Sequence, residues 1–84
     1  MKLIFAEQAW ADYLYWQQQD KRMVKRINEL IRETVRDPFA GIGKPEPLKH
    51  ALAGFWSRRI TEEHRMVYKS EKDALLIAQL RYHY

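Results

Sequence analysis

The four C-terminal residues, Arg81-Tyr82-His83-Tyr84, bring together side chains that could bind a phosphate and transfer protons near neutral pH. They directly follow an apolar run, Ala74 to Leu80, whose composition is typical of a buried strand. Chain ends usually fray, but a tail that continues a buried strand is expected to be held at the end of a sheet. Aromatic residues that only pack on a core would give the same pattern, so these residues alone do not decide between packing and chemistry.

A second candidate group is the acid in Pro45-Glu46-Pro47. The two prolines restrict the backbone on both sides of the carboxylate, and a fixed carboxylate suits a catalytic base. Glu46 is the only acid between Asp37 and Glu62. The segment is otherwise basic, with Lys44, Lys49, His50, Arg58 and Arg59. Glu46 is therefore either a local ion-pair partner or a group kept for proton transfer.

A carboxylate, a histidine and arginines form a set that could cleave RNA through its own 2′-hydroxyl. We assign Glu46 as general base, His83 as general acid and Arg65 as the phosphate clamp. Further contacts to substrate are expected from Tyr84, which could position or stack on a base, and from the cations Lys49, Arg59 and Arg81. The products would be a 2′,3′-cyclic phosphate and a 5′-hydroxyl, and we expect neither a metal nor a cofactor.

Composition sets broad limits on this assignment. The chain has 84 residues, 46% of them hydrophobic, which fits one folded domain over residues 1–84. It has no cysteine, and its three histidines show no metal-ligand spacing. The net charge of +4 is compatible with a polyanionic partner. The longest apolar run is too short to span a bilayer and the chain opens like a strand, so we expect a cytoplasmic protein without a membrane partner.

The pattern of apolar residues predicts an α+β fold with the order β-α-α-β-β-β. We expect a small antiparallel sheet with both N-terminal helices packed on one face. The predicted elements are a strand over 1–6, helices over about 7–18 and 21–36, a loop over 39–53, and strands over 54–60, 64–70 and 74–83. Asp20 should cap the second helix, whereas Ala6 is a poor cap for the first.

Helical and strand periodicity also predict which side chains face the core. In the first helix one stripe carries Trp10, Tyr13, Leu14 and Gln17. In the second it carries Val24, Ile27, Leu30, Ile31, Thr34 and Val35. If the last strand has no bulge, the helices should cover its even-numbered side chains: Leu76, Ala78, Leu80 and Tyr82. The uncovered face would then carry Arg59, Arg65, Arg81 and His83.

Several long collinear blocks resemble the YoeB-like toxins of the RelE superfamily of bacterial toxin–antitoxin systems. These blocks are Met1-Lys2-Leu3-Ile4, Asp20-Lys21-Arg22, Lys44-Pro45-Glu46-Pro47-Leu48-Lys49-His50, Gly54-Phe55-Trp56-Ser57-Arg58-Arg59-Ile60-Thr61-Glu62-Glu63-His64-Arg65 and Arg81-Tyr82-His83-Tyr84. The resemblance spans the whole chain. It departs from the family mildly, at Phe5, Ala6 and Gln79, and none of these positions touches the proposed chemistry.

The resemblance implies a microbial-ribonuclease-like fold and an mRNA endonuclease that acts in the ribosomal A site and inhibits translation. It also implies a YefM-like antitoxin as partner and a tendency to form homodimers. The family's active-site positions fall on Glu46, Arg65, His83 and Tyr84, assisted by Lys49 and Arg59.

Three alternatives remain open at this point. A ParE-like toxin that poisons gyrase would share the fold but would not need Glu46, Arg65 and His83 together. A non-catalytic ribosome- or RNA-binding module would keep its binding after Glu46→Ala. A small DNA-binding regulator is the third, although the sequence shows no convincing helix-turn-helix.

Overall fold

The computed structural model of the protein describes residues 1–83, so the role predicted for Tyr84 lies outside the described residues. The elements are β1 (Lys2–Phe5), α1 (Glu7–Gln19), α2 (Lys21–Arg36), β2 (Glu46–Pro47), β3 (Trp56–Arg59), β4 (Arg65–Glu71) and β5 (Ala74–Gln79), with a 3₁₀ turn at His50–Leu52. Within this part of the chain, no helix has the length and apolar character to cross a membrane.

The second helix forms as its sequence predicts. The Asp20 carboxylate accepts a hydrogen bond of 2.9 Å from the Arg22 backbone N–H, which satisfies one of the donors left over in the first turn. The side chains buried on its inner face are Met23, Ile27, Leu30, Ile31 and Thr34. Asp37-Pro38 follows the last turn and stops it.

The first helix turns a different face to the core than its apolar stripe predicts. Ala6 makes no side-chain cap, as expected, but the buried residues are Ala9, Asp12 and Trp16. Trp10 is 50% exposed and Leu14 is 41% exposed. The reason is that the Asp12 carboxylate accepts a buried hydrogen bond from the Leu80 N–H, just beyond β5. This hydrogen bond turns the Asp12 face to the core in place of the more apolar stripe.

The two helices pack on one face of a five-stranded sheet of order β1-β5-β4-β3-β2, which confirms the predicted class. All pairs are antiparallel except β1 with β5, which run parallel, so the sheet is mixed. The fifth strand is β2, which lies in the segment predicted to be a loop. Its residues pair with Ser57 and Trp56 of β3.

A β-bulge near the end of β5 overturns the predicted division of that strand between the faces. Val67 pairs with Gln79 while Tyr68 pairs with Ile77, so Ala78 is an extra residue. Leu75 and Ile77 are therefore the fully buried side chains under the helices, whereas Leu76 and Ala78 are only partly buried. Beyond the bulge Leu80 rejoins the core. The strand ends at Gln79, four residues earlier than predicted.

Candidate active site

The face of the sheet opposite the helices carries a row of paired residues, one from each of four strands. The register aligns Glu46 with Ser57, Ser57 with Val67, and Val67 with Gln79. Residues paired across neighbouring strands lie on the same face. With strands about 4.8 Å apart, the backbones of Glu46 and Gln79 are about 14 Å from each other. We call this the open face.

Two arginines form the next row of the open face. Arg59 pairs with Arg65, and each stands two residues from a member of the first row, so both lie on the same side as Glu46. The prediction that these two arginines share the uncovered face agrees with this placement. The Arg59 guanidinium lies 3.6 Å from the exposed Glu62 carboxylate in the adjoining turn.

Arg65 also has a structural contact that its sequence position did not indicate. The residue is only 6% exposed. Its Nη1 donates to the carbonyl oxygens of Thr61, Glu62 and His64 at 2.7, 2.8 and 3.3 Å. One nitrogen of the guanidinium is therefore committed to the β3–β4 turn, which fixes the group.

Glu46 is exposed on the two-residue strand β2 at the edge of the sheet. Residues 46–52 line a cleft of about 470 Å³, and this stretch includes the exposed Lys49. Pairing with β3 holds the segment in place, because the Leu48 N–H donates to the Phe55 carbonyl at 2.9 Å. The predicted base and one predicted cation therefore share one cleft.

A buried arginine anchors the loop that leads to Glu46. Arg58 is fully buried, and its guanidinium donates to the backbone carbonyls of Asp37, Ala40 and Ile42. Its Nε donates to the Tyr68 hydroxyl, which itself donates to the Pro38 carbonyl at 2.6 Å. We call this set of contacts the Arg58 cage. These partners are carbonyl and hydroxyl oxygens, so oriented dipoles stabilise the buried cation.

The same loop is fixed again at Gly43, whose φ of +80° is unfavourable for other residues. A Cβ there would lie 2.8 Å from Leu30 and 3.2 Å from the Arg59 carbonyl. The Gly43 carbonyl accepts from the Arg59 N–H at 2.7 Å. The approach to Glu46 is therefore defined by packing as well as by the prolines.

At the other end of the row, α1 fastens the beginning of the C-terminal tail. The Asp12 carboxylate accepts from the Leu80 N–H at 2.9 Å, and the Trp16 indole N–H donates to the Leu80 carbonyl at 2.9 Å. The Gln79 amide donates to the carbonyls of Arg81 and His83 at 3.0 and 3.3 Å. The expectation that the tail is tied down is correct, but hydrogen bonds hold it rather than a continued strand.

His83 is exposed, and with Gln79 it lines a cleft of about 290 Å³ that also includes Gln8 and Asp12 of α1. The Gln79 amide holds the His83 carbonyl, so the backbone of the predicted acid lies next to the end of the row that begins at Glu46, the predicted base.

Arg81 was predicted to share the open face with Arg59 and Arg65, and this prediction is wrong. Its guanidinium lies 3.5 Å from the centre of the Tyr15 ring on α1 and 4.6 Å from that of Tyr82, a cation–π arrangement with two phenols. Its buried Nε has no hydrogen-bond partner within residues 1–83. The bulge and the early end of β5 cause this change, because the alternation of side chains applies only while the strand continues.

Sequence reasoning missed the residues that hold the site together. Asp12 and Trp16 fasten the tail, Arg58 fastens the loop before Glu46, and Gln79 holds two tail carbonyls. A signal existed for Asp12, which stands between Ala9 and Trp16 at helical spacing and so marks a polar group on a buried face. Across residues 1–83, no three histidine or acidic side chains are grouped as a metal site would require.

Two helices on one face of a small sheet form a fold that solved structures share. YafQ from Escherichia coli has it, with a TM-score of 0.81 at 17% identity, over 96% of this chain and 91% of that chain. At that identity the likeness is one of fold alone.

The sequence comparisons are more specific. Residues 5–84 match the model of the YoeB-like toxin of bacterial type II toxin-antitoxin systems, and the chain belongs to this family. Toxin YoeB of Escherichia coli K12 is 70% identical over the full length of both chains. The YoeB/ParE toxin from Agrobacterium tumefaciens has a TM-score of 0.96 at 56% identity, again covering both chains completely. A YoeB dimer from Staphylococcus aureus has a TM-score of 0.93 at 49% identity, over 100% of this chain and 98% of that one.

Proposed function

We propose that this toxin is a ribosome-dependent endoribonuclease that cleaves mRNA in the A site and so inhibits translation. The observation that supports the proposal is the row across the open face, which begins at Glu46 and ends at Gln79, whose amide holds the His83 carbonyl. Arg59 and Arg65 lie beside that row. An acid–base pair separated by cations matches what cleavage of a phosphodiester requires.

In the proposed reaction, the Glu46 carboxylate removes the proton from the 2′-hydroxyl, and the 2′ oxygen forms a bond to the adjacent phosphorus. The bond from phosphorus to the 5′ oxygen breaks, and the His83 imidazolium gives its proton to that oxygen. The products are a 2′,3′-cyclic phosphate and a 5′-hydroxyl. Charge on the phosphoryl oxygens is stabilised by Arg65 and Arg59, and no divalent ion takes part.

The remaining predicted residues contact the message. Lys49 shares a cleft with Glu46 and would pair with a neighbouring phosphate. Arg81 is held between two phenols, so it would present the edge of its guanidinium to RNA. Tyr84 follows His83 directly and would stack on a base.

Partners follow from the family. A YoeB–YefM complex from Staphylococcus aureus is heterotetrameric, and its matching chain has a TM-score of 0.92 to this one. The YoeB dimer described above is from the same species. We propose that this chain is likewise neutralised by a YefM-like antitoxin, forms a homodimer, and acts in the cytoplasm on translating ribosomes.

The test is cleavage of a message in a purified translation reaction, with the new 5′ ends mapped. We expect cuts only in translated message, and none with Glu46→Gln or His83→Gln. Glu71→Gln is the matched control, because Glu71 is an exposed acid at the end of β4. A single 2′-deoxynucleotide at the cut position should block the reaction. If it does not, the 2′-hydroxyl is not the nucleophile.

The same reaction separates the alternatives. A toxin that blocks gyrase supercoiling but leaves messages intact would be ParE-like. A protein that never cuts, and that binds ribosomes equally well before and after Glu46→Gln, would be a binding module. Either result overturns the proposed reaction.

A further inference from the structure

A histidine that the sequence analysis left without a role contacts the tail. His64 precedes β4, its side chain is 12% exposed, and its ring packs edge-on against the Trp16 indole with centroids 4.9 Å apart. The Tyr82 ring lies 5.6 Å away on another side. The imidazole therefore stands between α1 and the segment that leads to His83.

The contact specifies the protonation state of the ring. The Tyr82 backbone N–H donates to His64 Nδ1 at 2.8 Å. A nitrogen that accepts a hydrogen bond carries no proton, so the ring is neutral, with its proton on Nε2. Nε2 lies 3.4 Å from the Glu63 carboxylate. A protonated ring would present an N–H at both nitrogens, and its Nδ1–H would oppose the Tyr82 N–H.

The backbone at Tyr82 needs this support. Its φ is +63°, in the left-handed region that a bulky residue rarely adopts. Such a conformation persists only where its surroundings hold it. The Tyr82 N–H donates to His64, and the Tyr82 carbonyl accepts from the Arg65 N–H at 3.1 Å. Of these two contacts, only the first involves a side chain, the imidazole of His64.

Other charged and titratable groups border the ring from each element packed around it. Glu63 faces Nε2, Arg65 donates to the His64 carbonyl, and Arg81 packs on the Tyr82 ring. On α1, Asp12 and the phenol of Tyr15 flank Trp16. Among these, Tyr82 alone donates a backbone N–H to the ring, so protonation acts first on that hydrogen bond.

We infer that neutral His64 is a positioning residue that holds the C-terminal tail in place, and that its protonation releases Tyr82 and His83 from the site. We call this contact the His64 latch. The latch itself is a property of the fold. Its effect on RNA cleavage rests on the function proposed above. Acid would therefore lower activity by moving the tail.

The first test needs no substrate. Nitrogen NMR of the labelled ring, with amide exchange of Tyr82, is followed from about pH 8 to about pH 5. At the higher pH we expect the proton on Nε2. As the ring protonates, the protection factor of the Tyr82 amide should fall about tenfold, equal to about 1.4 kcal/mol, while Ile27 in the core stays protected. Three results would each contradict the latch. The proton could lie on Nδ1 at high pH, the ring could stay neutral until the protein unfolds, or the protection factor of the Tyr82 amide could stay constant while the ring protonates.

Two substitutions sharpen the result. In His64→Asn the side-chain oxygen stands near the place of Nδ1 and accepts a hydrogen bond, but it does not titrate. We expect Tyr82 to stay protected at both ends of the range. His64→Leu removes the acceptor, so protection should be low throughout. His50→Asn is the matched control, because His50 is an exposed histidine on the 3₁₀ turn, and the response of Tyr82 should be unchanged. If His64→Leu does not fold, the wild-type and Asn titrations still decide.

The second test measures single-turnover cleavage against pH for wild type and His64→Asn. Because the two proteins differ only at residue 64, the ratio of their rates reports on His64 alone. We expect the variant to retain about tenfold more of its maximal rate at the acid end, the factor given by the lost hydrogen bond. Equal profiles would show that His64 is only structural. If the NMR result holds and neither protein cleaves, the latch stands and the proposed function fails.

Discussion

Arg58→Met should strongly destabilise the domain, although the substitution replaces one long side chain with another. Arg58 is fully buried and donates to three backbone carbonyls and to the Tyr68 hydroxyl. Methionine fills similar space but donates nothing. The carbonyls of Asp37, Ala40 and Ile42 would lose their partner, and the α2–β2 loop would lose its attachment to the sheet.

The magnitude follows from the number of groups left unpaired. A buried polar group without a partner costs about 1–3 kcal/mol. The loop is near the surface and water can reach part of it, so we take the lower end for each of the three carbonyls. With the Tyr68 contact added, we expect a loss of about 3–5 kcal/mol, as when a buried ionic contact is broken. A small domain has a total stability of about 5–15 kcal/mol.

Urea unfolding followed by tryptophan fluorescence and far-UV circular dichroism measures this loss. Arg59→Met is the matched control. It removes the same group from the next residue of β3, but Arg59 is 40% exposed and has one ion pair, at 3.6 Å. We expect that control to change the free energy of unfolding by less than about 1 kcal/mol. If both variants have similar stability, the Arg58 cage does not anchor the loop.

Three further outcomes are expected. Deleting His83 and Tyr84 should leave the melting temperature nearly unchanged while the cleavage rate falls by at least about 100-fold. A truncation that also removes Leu80 should lower the free energy of unfolding by about 2–5 kcal/mol. A large drop in melting temperature by calorimetry after the shorter deletion, or unchanged cleavage, would contradict this prediction. Asp12→Ala should cost about 1–3 kcal/mol in urea unfolding, because the buried Leu80 N–H loses its acceptor, and no loss would contradict that anchor. Burial raises the pKa of the Tyr68 phenol, against an opposing effect of Arg58. The folded state therefore holds that proton longer than the unfolded state, and stability falls as pH rises past about 10. Tyr68→Phe should remove that part of the alkaline loss of stability. If the difference in unfolding free energy between wild type and Tyr68→Phe stays constant across this pH range, the prediction is wrong.

The parts of the fold that local pattern determines were predictable. The second helix has a good cap, a continuous apolar stripe and a proline after its end. Four residues of the predicted stripe are buried, Ile27, Leu30, Ile31 and Thr34, whereas Val35 is 38% exposed, Val24 is only partly buried, and Met23 is buried although it was not predicted to be. The order of helices and long strands followed from periodicity. The rigid setting of Glu46 and the shared face of Arg59 and Arg65 followed from prolines and strand alternation.

The parts that depend on distant partners were not predictable. The bulge at Ala78 arises from the pairing of β5 with β4, and nothing within β5 marks it. Strand β2 is two residues long and exists because β3 lies beside it. The apolar stripe of α1 predicted the wrong buried face. Asp12 is buried because its carboxylate accepts a hydrogen bond from the backbone N–H of Leu80, which is 68 residues away. Arg58 and Arg59 are neighbours on β3, so alternation places them on opposite faces, but it does not show that the loop before Glu46 closes over Arg58.

The most direct test of the central claim asks whether Glu46 and His83 act on one RNA linkage as base and acid. A message is made with sulfur in place of the bridging 5′ oxygen at the cut position. A thiolate leaves without being protonated, so the linkage needs the base but not the acid. We predict that His83→Gln cleaves this message at nearly the wild-type rate, whereas Glu46→Gln remains inactive. If sulfur rescues Glu46→Gln, or fails to rescue His83→Gln, the assignment of base and acid is wrong.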